Sequence, residues 1–172
     1  RKPTESHRDG VDEKALLEDW AEMDDTHQFF GILKKHNVPR LQAMKAAIGT
    51  FTTSVSTDAH ARFLESISET GNTAMIFVGN PGLYQIHIGP VKNTKPMEDW
   101  FNIFDPGFEL HVKEGSVAHA FIVRKPTAAG DLHSLELYDA DGDEIALFHA
   151  KRKDGEPEPA WWRELLEALP RA

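Results

Sequence analysis

Apolar residues along the chain change their spacing near residue 72. Before it they recur at three- and four-residue intervals, the period of a helix with one buried face. Ala15, Leu16, Trp20 and Met23 predict a helix within 12–23. Asp25 or Thr26 is placed to cap a second, which runs to about Lys35 with Phe29, Ile32 and Leu33 on one face. Pro39 suits the first turn of a third helix that reaches about Ile48 and stops at Gly49. Thr57 or Asp58 caps a fourth, which carries Phe63, Leu64 and Ile67 and closes at Gly71.

Short runs rich in β-branched and aromatic residues follow, at 73–78, 83–88, 100–104, 108–112, 117–123, 132–138 and 145–150. Several alternate in polarity, as in Leu135-Glu136-Leu137-Tyr138. Turn chemistry separates them: Gly79-Asn80-Pro81-Gly82, Asp105-Pro106-Gly107, Glu114-Gly115 and Asp139-Ala140-Asp141-Gly142. Turns this short join antiparallel strands, because parallel strands need long crossovers. A last helix is predicted from Trp161 to Leu169. The order predicts an α+β fold: N-terminal helices, then a large antiparallel meander sheet and a C-terminal helix. Residues 1–11 read as a linker or tail, and 12–172 as a single domain.

Composition narrows the partners. No apolar run approaches the roughly 20 residues that span a bilayer, so no membrane insertion is expected. The polar start offers no signal peptide, and a first residue of Arg1 rather than Met suits a trimmed or excised chain. Cysteine is absent, which removes disulfides and thiolate metal sites and fits a reducing cytoplasm. A formal net charge of −9 argues against nucleic-acid binding and confines any anionic ligand to a local cluster of cations.

One motif-like segment has a simpler reading, and the hydrolase patterns are absent. Asp139 to Glu144 suggests a calcium loop, but the twelfth position, where an EF-hand needs glutamate, is Ala150. No Gly-x-Ser-x-Gly frames a serine, and no His-Glu-x-x-His occurs, so neither hydrolase pattern is present. Histidine is the richer lead, with nine in the chain. Around His27 the helix presents His27, Phe30, Gly31 and Lys34 away from its apolar face. Glycine inside a helix costs about 1 kcal/mol relative to alanine. Close approach of a flat cofactor ligated by His27 would account for Gly31, and so would helix–helix packing.

Several segments carry a resemblance. They are Asp25-Thr26-His27-Gln28-Phe29-Phe30-Gly31, Val78 to Gly82 with Gln85 to Asn93, Trp100 to Pro106, Val123-Arg124-Lys125-Pro126-Thr127, and Ser134 to Gly142. In this order they resemble the C-terminal half of the bacterial hemin-degrading factor family, the HemS, HmuS and ChuS type of cytoplasmic heme protein. The resemblance implies one half of a two-repeat heme-utilisation fold. It further implies heme as cofactor or cargo, with His27 as axial ligand of the iron and Arg40, Lys125 and Arg152 as contacts of the propionates. It implies a role in heme transfer, heme breakdown with an external reductant, or both, and a protein that delivers or accepts the heme. Members are normally about twice as long, so the resemblance also implies a missing N-terminal half, which in the family supplies a distal arginine. A homodimer could replace that half, or the chain could be a structural half-domain that binds heme weakly alone. His149 is a further candidate for the pocket, His36 a poorer one, and His87 reads as a structural residue of the sheet.

Overall fold

The structure is a computed structural model that describes residues 7–80, 82–153 and 155–172. Residues 1–6 of the expected tail and Pro81 of the expected turn lie outside the described residues. The helices are α1 (Glu13–Ala21), α2 (Gln28–Lys35), α3 (Arg40–Ala46), α4 (Ala59–Thr70) and α5 (Ala160–Glu167). The strands are β1 (Thr52–Val55), β2 (Thr73–Asn80), β3 (Leu83–Pro90), β4 (Thr94–Met97), β5 (Trp100–Asp105), β6 (Phe108–Lys113), β7 (His119–Lys125), β8 (Leu132–Tyr138) and β9 (Glu144–Ala150). The α+β order is as expected, with a large antiparallel sheet following the first helices.

The strands form two sheets rather than a single meander. Six strands run in the order β1-β7-β8-β9-β2-β3, and β4-β5-β6 form a separate sheet of three. Pairing of β2 with β9, Ala74 opposite Ala150, closes the larger sheet across the whole insertion between them. Strands β1 and β4 were not expected: Thr52–Val55 lies unassigned between the third and fourth predicted helices, and β4 contains Pro96, which removes a ladder donor and confines such a strand to an edge.

Alternation along β7 shows how the core divides. Ala120 and Ile122 join α4, α5 and the smaller sheet in one apolar cluster, with Phe63, Phe101, Leu135, Leu137, Phe148 and Trp162. Phe121 and Val123 face the other way, into a cluster with Trp20, Phe29, Leu33, Leu41, Met44 and Tyr138. Both faces of the central strands are therefore covered. The alternating Leu135-Glu136-Leu137-Tyr138 is buried throughout, so Glu136 lies inside the protein and not on a solvent face.

Local chemistry sets the ends of the elements. Asp12 caps α1 by accepting from the Ala15 N–H at 3.0 Å. Gly71 ends α4 at φ +71°, a left-handed position that favours glycine. Asp139 Oδ1 accepts from the N–H groups of Asp141 and Asp143, which makes the acidic segment a hairpin turn as expected. At Gly79 a Cβ would stand 2.3 Å from the Leu83 carbonyl oxygen, so the β2–β3 hairpin admits no side chain there.

Phe63 meets Phe148 at 5.2 Å and Trp162 at 5.3 Å between ring centroids, tying α4 to β9 and α5. Truncating it should cost about 3–5 kcal/mol of stability. Chemical denaturation of Phe63→Ala checks this, and a loss below about 1 kcal/mol would show that this cluster does not organise the core.

Candidate functional site

Helices α1 to α3 cover only part of their face of the large sheet. Beyond them Met75 and Phe77 of β2 and Leu147 and His149 of β9 form the floor of a cleft of about 420 Å³. This is the size range of ligand sites, which are largely apolar with a few placed polar groups. All four residues expected from the sequence, His27, Arg40, Lys125 and Arg152, line this one cleft. They come from four segments far apart in the chain, the turn before α2, the start of α3, the end of β7 and the loop after β9, and the fold brings them together.

His27 sits on the rim, its side chain 94% exposed, immediately before α2. Neither Asp25 nor Thr26 caps this helix with its side chain, contrary to expectation. Asp25 Oδ1 instead accepts from the His27 N–H and from His27 Nδ1–H, each at 2.7 Å. Those bonds, the backbone one first, hold the Asp25 carboxyl below its ordinary range. With Nδ1 carrying the proton, Nε2 keeps its lone pair and the ring orientation is fixed, which is how carboxylates prepare imidazoles for metals. Phe30, 75% exposed, stands beside it on the same rim.

Gly31 is not part of this arrangement. It belongs to a separate shallow groove with Asp19, Glu22 and Ile32, and an added Cβ there would meet nothing within 4 Å. No described protein atom therefore approaches the glycine closely, and the groove it lines is separate from the His27 cleft. His36 is also occupied elsewhere: its Nε2 lies 2.5 Å from Asp19 Oδ2 and ties α2 to α1. His87 stacks on Phe108 at 3.6 Å between centroids and joins the two sheets, as a structural histidine would.

The cations at the far end are bound into a buried network. Glu136 is fully buried, and Lys125 Nζ donates to its Oε1 at 2.8 Å. Arg40 Nη2 donates to Oε1 and Oε2 of Glu136 at 3.0 and 2.9 Å, and Arg40 Nε to the Tyr138 hydroxyl at 2.9 Å. The Tyr138 hydroxyl donates in turn to Glu136 Oε2 at 2.5 Å, and the Ser134 hydroxyl to Oε1 at 2.9 Å. Arg40 Nε is also 3.1 Å from Glu144 Oε2, a charge contact without hydrogen-bond geometry. Phe29 backs both cations, its centroid 5.3 Å from the Arg40 guanidinium carbon and 4.9 Å from Lys125 Nζ.

Electrostatics follow from this packing. Burial alone would raise the Glu136 carboxyl, but Arg40 and then Lys125 overcome it and hold it well below the carboxylate range. Burial opposes the charge of Arg40, and Glu136, Tyr138 and Glu144 outweigh it. For Lys125 burial prevails over Glu136, with Arg40 adding to it, so its ammonium is easier to deprotonate than usual. Burial also raises the Glu144 carboxyl, which shares a proton-donating contact from the Tyr84 hydroxyl at 2.8 Å. Arg152 stands apart from this network, its Nη1 donating to the Lys153 and Glu156 carbonyls.

Sequence reading missed Glu136, Tyr138 and His133 as members of the site. A charged residue at the centre of an apolar strand was the available signal for Glu136. His133 lines the cleft from β8, its Nδ1 2.5 Å from Glu158 Oε1, but nothing in its sequence context marks it. His149 does reach the cleft, edge-on to Phe77 at 5.5 Å.

Burial, followed by Lys125, pushes the His149 imidazole down to about 4. The fold therefore favours neutral His149, a contribution present above the unfolded value near 6.5 and lost as pH falls toward 4. Glu136 acts in the same direction at lower pH, its contribution lost below the unfolded value of about 4.5. Stability should thus fall by about 2 kcal/mol between pH 7 and pH 4.5, less than full linkage because the ring is only half buried. His149→Gln should flatten that interval, as read from melting temperature against pH; an unchanged slope would remove His149 as its cause.

Known proteins share this architecture. The family model of the haemin-degrading HemS/ChuX domain matches residues 37–169. The hemin transport protein HemS of Yersinia enterocolitica is 38% identical over 157 residues, covering 91% of this chain and 46% of its own length. The crystal structure of holo-PhuS, a heme-binding protein from Pseudomonas aeruginosa, superposes with a TM-score of 0.94 at 42% identity, covering all of this chain and 50% of that one. ChuS, an E. coli heme oxygenase, matches with a TM-score of 0.88 at 43% identity, over 92% of this chain and 49% of that one. The chain spans about half the length of these relatives. It belongs to the haemin-degrading HemS/ChuX family.

Proposed function

We propose that this domain, residues 12–172, binds heme in the cleft for transfer or breakdown in iron acquisition. His27 is the axial ligand of the iron, and Arg40, Lys125 and Arg152 receive the propionates. The observation that carries the reading is the convergence of these four residues on a single cleft with an apolar floor. The residues fit the group. Neutral imidazole is a good ligand for heme iron, Nε2 of His27 is left for it by Asp25, and cations at one end match a dianionic edge. The macrocycle's faces would lie against Phe30, Met75, Phe77 and Leu147. Bound heme would supply the iron for any oxygen chemistry, while the chain's own residues bind, orient and exclude water. A cytoplasmic setting is supported by the absence of cysteine.

A second reading is a half-domain that pairs with a partner half or with itself and holds heme weakly alone. It is favoured by exposed Tyr84, Ile86 and Ile88, which alternate along β3 on one face of the sheet, and by the half-length match to relatives. Among the described residues no helix is long and apolar enough to cross a membrane.

Titration with hemin should give one equivalent bound and a shifted Soret band. His27→Ala should lose or strongly weaken both, and an unchanged spectrum and affinity would exclude this ligand. Arg152→Ala should weaken binding roughly three- to tenfold, the value of one partly exposed charge-assisted contact. Reductant and oxygen, with catalase present, then separate the two uses of the heme. Ring opening marks breakdown, and intact heme that passes to an acceptor marks transfer.

A further inference from the structure

The cations at the end of the cleft do not hold themselves in place. Arg40 spends Nε and Nη2 on Glu136 and Tyr138, and those contacts leave out Nη1. Lys125 spends one of its three N–H groups on Glu136. Phe29 closes a third side of both. The donors not used in these bonds belong to side chains that line the cleft. One buried carboxylate thus takes two long, flexible cations, removes most of their rotamer freedom and leaves part of each for a ligand.

Stability alone is a poor reason for such a group. A buried ion pair is often no better for folding than apolar residues of the same volume, because desolvation offsets the attraction. The network is also not neutral by itself: Glu136 balances one of the two charges on Arg40 and Lys125. Glu144, the other acid within reach, is pushed toward its neutral form by burial. Two cationic side chains are thus gathered on one cleft of a chain whose formal net charge is −9.

We propose that Glu136 is a positioning residue for ligand carboxylates: it aims Arg40 and Lys125 at one end of the cleft and makes the site select a porphyrin bearing free acid arms. The proposal rests on the heme reading given above. Without the Glu136 charge, Lys125 is left 7% exposed beside another cation, loses its reason to stay protonated, and Arg40 loses its bidentate anchor. The attraction gained by deleting one negative charge is smaller than the loss of two aimed donors.

The test compares hemin with hemin dimethyl ester on the full chain, in wild type, Glu136→Gln and Tyr138→Phe. Wild type should prefer the diacid. Glu136→Gln should lower that preference roughly tenfold or more, with affinity for the ester and the Soret position set by His27 nearly unchanged. A general loss of structure would lower both affinities together, so the ratio reports aiming. Tyr138→Phe keeps the Glu136 charge and removes one bond to it and one acceptor of Arg40; it should lower the preference severalfold, and decides the matter if Glu136→Gln does not fold. A diacid preference that is unchanged or increased in the folded variants overturns the positioning role and leaves the heme reading standing. Wild type that binds neither porphyrin overturns the heme reading and the positioning role with it.

Discussion

A carboxylate with no solvent contact, clamped between a guanidinium and an ammonium, is the constraint around which the site is built. Glu136 can remain ionised inside the protein only because Arg40 and Lys125 come to it, and they can be buried only because it is there. Those partners arrive on different elements, the start of α3 and the end of β7, while Glu136 sits in the middle of β8. Satisfying one buried charge therefore fixes α3 against the sheet and sets the end wall of the cleft. Phe29 extends this linkage to α2, since it packs under both cations two residues after His27.

The two ends of the cleft are prepared differently. At the rim, an exposed imidazole is oriented by a neighbouring carboxylate and remains reachable from solvent, which suits capture and release. At the far end, the charges are desolvated and held, so a ligand carboxylate meets donors that are already placed. Between them the floor is apolar and His149 is kept neutral by burial. A rigid flat molecule with a metal at its centre and acids on one edge is complementary to this sequence of environments. Relatives described as heme-binding, hemin transport and heme oxygenase proteins share the fold at about 40% identity.

Much of the fold was legible in the chain. The helical spacing around Trp20, Phe29 and Phe63, and the turns at Gly71 and Asp139–Gly142, depend on local chemistry and survive in the structure. What failed were features decided by distant partners. Strand β1 exists because β7 offers it an edge, with Thr52 opposite Val123; its four residues, three of them β-branched, are too short a run between two helices to stand out. The division into two sheets depends on β2 pairing with β9, which no local turn encodes. The site shows the same split. His27, Arg40, Lys125 and Arg152 came from the resemblance, and their convergence needed the folded sheet. Gly31 was read as room for a flat cofactor or for a packed helix; no described protein atom packs on it, and it lines a groove apart from the cleft. Glu136 was read as the polar side of an alternating strand, because a second covering layer is invisible to periodicity.

The most direct measurement is a crystal structure of this chain with iron protoporphyrin IX. The account predicts His27 Nε2 on the iron, the ring over Phe77 and Leu147, and an acid arm within hydrogen-bond reach of Arg40 and Lys125 while both still touch Glu136. A porphyrin seated elsewhere, or turned so that its acids point to solvent, would contradict it.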